Sequence, residues 1–379
     1  MSHGVPRASG LTERSEASRK KELKQIETYK ALVEELQQKI HAKDYSADTL
    51  TLTSNLLTRN PEYYTVWNNR RLILQDVFGK ELGAHSDEPS AETGLNTAQQ
   101  EILLLIKEDL AFLLPLLKNF PKCYWIWNHR AWLLQQASEC LPVSSAKQLW
   151  QQELGLVGKM LGMDSRNFHG WSYRRTVIHA LEHLDVQDKS SYDDATGKES
   201  KSDSLTEQEF AYTTKMIKTN LSNFSAWHNR SQLIPKLLRG RNADGKARRK
   251  MLDTEFDFIL QALYTDPYDQ SLWFYHNYLM TTLVPGKKES SAIVLDLTNQ
   301  EKLEYLDVQL DTLKDILEGS DDCKYIYQAL LTYTAQYLEL DAGTKKVTTI
   351  EMTSWLEQLE KLDPLRKGRW QDLWTSLNL

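Results

Sequence analysis

The chain has 379 residues, with 46 Lys+Arg against 52 Asp+Glu and a net charge of −6 at pH 7. The length supports a large core and a soft expectation of two or three domains, and the mildly acidic balance excludes a nucleic-acid binder that works by bulk charge. Cys123, Cys140 and Cys323 are too few and too scattered for a disulfide scaffold or a cysteine zinc site. The longest apolar stretch, near 110–117, contains Pro115 and falls far short of the ~20 residues of a membrane helix. The opening MSHGVPRASG has no apolar core of a secretory signal. A soluble, cytoplasmic protein is expected.

Residues 1–20 are polar and read as a flexible tail. From Lys21 the pattern becomes helical: Tyr29, Leu32, Val33, Leu36 and Ile40 recur at three- and four-residue steps, one face of a helix. No sustained two-residue alternation follows, so the fold is expected to be all-α. Three stretches interrupt the helical pattern. Residues 79–99 hold Pro89 and three glycines, and 187–206 are low in apolar residues. The third, 239–250 (RGRNADGKARRK), carries six cations in twelve residues and reads as a solvated basic loop. A short polar break follows at 285–291. Residues 21–379 therefore read as one domain with loops of unequal length.

The tryptophans expose an internal repeat. Trp67-Asn68-Asn69-Arg70, Trp127-Asn128-His129-Arg130, Trp171-Ser172-Tyr173-Arg174 and Trp227-His228-Asn229-Arg230 share a W-x-x-R core, and Trp273-Phe274-Tyr275-His276 continues the series with His in the last place, at tryptophan spacings of 60, 44, 56 and 46. Asn60-Pro61, Pro121, Asn167, Asn223 and Asp266-Pro267 precede them. Trp and Arg at i and i+3 share a helix face. A proline just upstream ends one helix and starts the next. A period of about 45 residues holds two helices and two turns, and such pairs must stack to bury both faces. Each Trp is expected to plug the core between hairpins, and each Arg to tether neighbouring repeats.

These five units resemble the repeat of the protein prenyltransferase α-subunits. The segment Asp266–His276 is similar to the fifth repeat of the Rab geranylgeranyltransferase α-subunits, and His3-Gly4 and Leu362-Asp363-Pro364-Leu365-Arg366 suit that branch. The resemblance covers about residues 20–370. It implies a right-handed superhelical α-solenoid that wraps a β-subunit as an obligate heterodimer. The implied activity is transfer of geranylgeranyl from geranylgeranyl diphosphate to C-terminal cysteines of Rab GTPases presented by a Rab escort protein. The zinc and the lipid well belong to the β-subunit. Animal members carry an immunoglobulin-like insertion and a leucine-rich tail, absent here, so the compact fungal or yeast form is expected. The farnesyltransferase and type-I geranylgeranyltransferase α-subunit is the nearest alternative. A tetratricopeptide-like adaptor is another, but its 34-residue period and Gly/Ala/Pro signature are missing.

Prenyl transfer needs a thiolate-forming metal, an apolar well and cations for the departing diphosphate. Lys122 and Tyr124 sit just ahead of Trp127, at the start of an expected helix, where backbone N–H groups favour an anion. The resemblance places them at the isoprenoid diphosphate, with His169 supporting from the next unit. Phe168 stands where relatives use Tyr. His3, on the tail, could reach a zinc held by the β-subunit. His179-Ala180-Leu181-Glu182-His183 matches an inverted zinc-protease pattern, but it runs into a polar segment and reads as a helix end.

Overall fold

The structure, a computed structural model, describes residues 15–84, 88–190, 205–284, 292–341, 343, 346–377 and 379, with 188–190 described for backbone alone. The described residues are helical and contain no strand. They fall into two compact units, one on each side of 191–204. The first holds α1 (Glu16–His41), α2 (Ala47–Arg59), α3 (Tyr64–Ala84), α4 (Thr97–Asn119), α5 (Tyr124–Cys140), α6 (Val143–Met163) and α7 (Phe168–Ser190). The second holds α8 (Leu205–Thr219), α9 (Phe224–Gly240), α10 (Gly245–Thr265), α11 (Gln270–Met280), α12 (Asn299–Glu318), α13 (Lys324–Leu340), α14 (Thr349–Leu362) and α15 (Lys367–Ser376). Both are stacks of helical hairpins: after α1, the helices pair as α2/α3 through α14/α15. Helix α1 begins at Glu16, ahead of the expected Lys21, because Ser15 caps it by accepting from the Ser18 backbone.

One corner geometry recurs. At Asn60, Phe120 and Asp266 the residue that ends the first helix of the pair leaves the helical region, because the proline that follows disfavours helix there. Six residues after the turn's second residue stands the tryptophan, whose indole N–H donates back to that residue's carbonyl. Trp67 reaches Pro61 O at 2.8 Å, Trp127 reaches Pro121 O at 2.9 Å and Trp171 reaches Ser165 O at 2.9 Å. In the second unit Trp227 reaches Leu221 O at 2.8 Å and Trp273 reaches Pro267 O at 2.7 Å. All five are buried, so the indole satisfies its donor while its rings fill the hairpin interface.

The same corner appears twice more, where no tryptophan spacing announced it. Tyr327 stands in the plug position of α12/α13 and donates its hydroxyl to Asp321 O at 2.7 Å. Trp370 closes α14/α15, donating to Asp363 O at 3.0 Å across one extra residue.

The arginines tether consecutive hairpins through buried acids. Arg70 Nε donates to Asp109 Oδ1 at 2.9 Å, and its Nη2 bonds the same oxygen. Arg130 makes two bonds to Glu153, and Arg230 two to Glu255. Each acid also meets a side chain twenty residues further on: His129, Tyr173 and Tyr275. The fifth unit departs from W-x-x-R. His276 fills the arginine's place, with Gln309 at 2.8 Å and the Tyr333 hydroxyl at 2.8 Å. A neutral ring replaces a cation and a neutral amide replaces an acid, so no charge is left buried alone.

The solvated basic loop expected over 239–250 is overturned. Helix α9 runs to Gly240 and α10 takes up the chain at Gly245. Lys and Arg are good helix formers, and Asp244 caps α10 by accepting from the Ala247 backbone at 2.7 Å. Asn242 turns the chain at φ 47°. The arginines find partners: Arg241 on Glu207, Arg249 on Asp296 and Glu301, and Arg248 on Ile293 O. At 79–99, α3 continues to Ala84 and the Asn96-capped α4 begins at Thr97, leaving a shorter connection than expected. Between α7 and α8, residues 191–204 lie outside the described residues.

Candidate functional site

Three sequence-selected residues converge on neighbouring corners of the first unit. The corner between α4 and α5 is laced to those on either side. Cys123 Sγ donates to Pro61 O at 3.4 Å, and Asn167 Nδ2 donates to Pro121 O at 2.9 Å. Lys122 sits in this turn with its side chain half exposed, Nζ 3.8 Å from Asp164 Oδ2 of the next corner. Tyr124 opens α5 and is also half exposed. Its ring lies 5.3 Å from Trp125 and 6.2 Å from His169. His169 takes a rigid seat: its backbone N–H donates to Asn167 Oδ1 at 3.0 Å, and Phe168 lies 4.1 Å from its ring. Burial holds the His169 imidazole below its ordinary pKa, so the ring is neutral at pH 7. The cluster therefore offers an ammonium, a phenol hydroxyl and a neutral imidazole along one edge. Such a set suits an anionic group better than it suits acid–base chemistry.

Two supporting residues escaped sequence reasoning. Arg71 Nη2 donates to Asn128 Oδ1 at 2.6 Å, and Asn128 Nδ2 donates to Tyr124 Oη at 3.3 Å. The Arg70-Arg71 doublet was visible, but the partner lies 57 residues away. His3 lies outside the described residues.

The cysteines are not set up as nucleophiles or ligands. Burial pushes the Cys123 thiol up to about 11, and Cys140 and Cys323 are raised for the same reason. His179 and His183 lie exposed on α7 with ring centres 4.6 Å apart. Among the described residues no group of three or more His, Cys, Asp or Glu could hold a metal ion. None of their helices is long and apolar enough to cross a membrane.

A family model described as "Protein prenyltransferase alpha subunit repeat" matches residues 46–77, 106–137, 150–181, 206–237 and 252–283. These are the five tryptophan hairpins; the Tyr327 and Trp370 corners lie beyond them. The fold is similar to that of Candida albicans protein geranylgeranyltransferase-I complexed with GGPP. The TM-score is 0.55 and the identity 20%, over 91% of this chain and 89% of that one. The geranylgeranyl transferase type-2 subunit alpha of Saccharomyces cerevisiae is 34% identical over 375 residues, 98% of each chain. The Candida albicans protein of that name is 32% identical over 402, covering 98% of this chain and 97% of its own. The Homo sapiens one is 31% identical over 280 residues, 73% of this chain but 41% of that longer protein. Identity of this order, sustained along nearly the whole of both fungal relatives, shows that the chain belongs to the geranylgeranyl transferase type-2 α-subunit family.

Proposed function

We propose that this chain works in the cytoplasm as the α-subunit of a Rab geranylgeranyltransferase. It acts as an obligate heterodimer with a β-subunit. The enzyme moves geranylgeranyl from geranylgeranyl diphosphate to C-terminal cysteines of Rab GTPases that an escort protein presents. The observation that carries this reading is the placement of Lys122, Tyr124 and His169 on adjacent, laced corners, all on one edge.

In the transfer, the C1–O bond to diphosphate breaks as the cysteine sulfur bonds C1, and the electron pair stays on the bridging oxygen. Charge grows there, so an ammonium and a hydroxyl placed on that side bind the transition state more strongly than the ground state. Lys122 supplies the charge, Tyr124 the hydrogen bond, and His169 packs Tyr124 in place. Zinc would supply the thiolate. The residues of this chain do not fit it: Cys123 and Cys323 are buried thiols held on backbone carbonyls, Cys140 has its thiol raised by burial, and the exposed His179/His183 pair has no third ligand beside it among the described residues. The metal is assigned to the β-subunit, as is the lipid well. His3 is proposed as a tail residue able to reach that zinc.

Co-expression with a β-subunit tests the reading. Two substrates separate the branches: a Rab with its escort protein, and a short peptide ending in a type-I recognition sequence offered without escort. Transfer to the escorted Rab alone supports the proposal. Transfer to the free peptide instead makes this the farnesyl/type-I α-subunit. A chain that captures no β-subunit and transfers nothing is an adaptor.

A further inference from the structure

A continuous hydrogen-bonded chain joins a buried acid to the exposed Tyr124 hydroxyl. Asp109 Oδ2 lies 2.7 Å from His129 Nε2, and His129 Nδ1 lies 3.3 Å from Arg71 Nε. Arg71 Nη2 lies 2.6 Å from Asn128 Oδ1, and Asn128 Nδ2 lies 3.3 Å from Tyr124 Oη. Each bond has one possible direction. Arginine only donates, so both His129 Nδ1 and the Asn128 atom that faces it must accept. The histidine proton is thereby placed on Nε2, facing the Asp109 carboxylate. Burial keeps that ring neutral, as the tautomer requires. Asn128 is left with its amide N–H toward Tyr124, so the Tyr124 oxygen accepts and its own proton is free to donate elsewhere.

Stability does not require this arrangement. Phe168 and Phe224 open α7 and α9 at the position Tyr124 holds in α5, and they build the same corner without a hydroxyl. Arg71 is half-buried and has no carboxylate partner among the described residues; its donors go to two neutral acceptors, with its guanidinium 5.5 Å above Trp132. An ion pair would be the cheaper way to seat a partly buried cation.

We propose that Arg71 and Asn128 are positioning residues that commit the Tyr124 hydroxyl to donating outward, to an anionic phosphate oxygen of the isoprenoid diphosphate. This rests on the reading above that Tyr124 borders that group. A hydroxyl held as an acceptor on its inner side cannot turn its proton inward, so its bond strengthens as charge develops on the leaving oxygen.

The test uses the assembled heterodimer and single-turnover transfer to the escorted Rab, with Tyr124→Phe, Asn128→Asp, their double variant and Lys122→Ala. Asn128→Asp still accepts from Arg71 but offers Tyr124 only an acceptor, so the hydroxyl turns inward. The new carboxylate's charge slows both backgrounds alike, so the coupling is the readout. Tyr124→Phe should slow transfer by about 10- to 100-fold, the range of a hydrogen bond to a charged group. Asn128→Asp should cost at least about tenfold more with Tyr124 present than with phenylalanine there. Affinity for geranylgeranyl diphosphate and the melting temperature should stay near wild type. An equal cost of Asn128→Asp in the two backgrounds overturns the relay. So does a slow Lys122→Ala enzyme beside a wild-type rate for Tyr124→Phe, which leaves the diphosphate reading standing. Wild-type rates for both Lys122→Ala and Tyr124→Phe overturn relay and reading together.

Discussion

Arg130 and Glu153 face each other across consecutive hairpins, joined by bonds of 2.6 Å and 2.7 Å with both side chains 4% exposed. Glu153 Oε1 also accepts from the Tyr173 hydroxyl at 2.8 Å. Removing one partner strands a buried charge, so Arg130→Ala should cost about 3–5 kcal/mol. Arg130→Lys should also be costly, because an ammonium cannot span both carboxylate oxygens. Replacing both Arg130 and Glu153 with apolar residues of similar volume should cost less than Arg130→Ala alone. Denaturant unfolding of the three variants checks the order.

Trp227 is 1% exposed, donates to Leu221 O and packs 4.7 Å from the Tyr275 ring. Trp227→Ala should lose about 3–5 kcal/mol, lowering the melting temperature and the yield of folded chain. Trp227→Phe should lose less, since it keeps most of the buried area. An unchanged melting temperature in Trp227→Ala would contradict the plug role.

Lys122 packs little and is half exposed, 3.8 Å from Asp164. Lys122→Ala should therefore assemble normally and bind the Rab–escort complex normally. Its single-turnover transfer should fall about 10²–10³-fold, the usual cost of one contact to developing charge. Lys122→Arg should recover part of the rate. A wild-type rate in Lys122→Ala would make this chain scaffold alone.

His276 is fully buried, and burial lowers its pKa from 6.5 to about 4. Between those values the unfolded chain binds a proton that the folded chain does not. Stability then rises with pH, so the contribution is complete above about 6.5 and is lost as pH falls toward 4. The loss is on the order of 3 kcal/mol. His276→Gln should flatten the slope of unfolding free energy against pH in that window, whatever it does to stability at pH 7.

Much of the chain could be read without a structure, and the reasons are local. The step from the turn to the tryptophan is a single helical turn and a corner, so its spacing is set by backbone geometry and repeats faithfully. The same regularity put Lys122 and Tyr124 just ahead of Trp127 and His169 just ahead of Trp171, at the corners of adjacent units. Where another residue does the same job, the pattern goes silent: Tyr327 plugs its hairpin with a phenol. Trp370 keeps the spacing, six residues after Pro364, but its indole reaches one residue further back, to Asp363 O. The basic stretch at 239–250 misled because cations score as solvent-loving whether they lie in a loop or on a paired helix face.

What only tertiary structure decided is who meets whom across hairpins. The acids that hold Arg70, Arg130 and Arg230 lie 39, 23 and 25 residues downstream. Connections of unequal length separate them, so no fixed spacing marks them. The partner of Arg71, 57 residues away, is likewise chosen by the packing of α3 against α5. Helical periodicity is a property of the backbone and is written residue by residue. The register between stacked helices is set by the shapes of whole buried faces, and it is that register that turns an exposed tyrosine into an oriented donor.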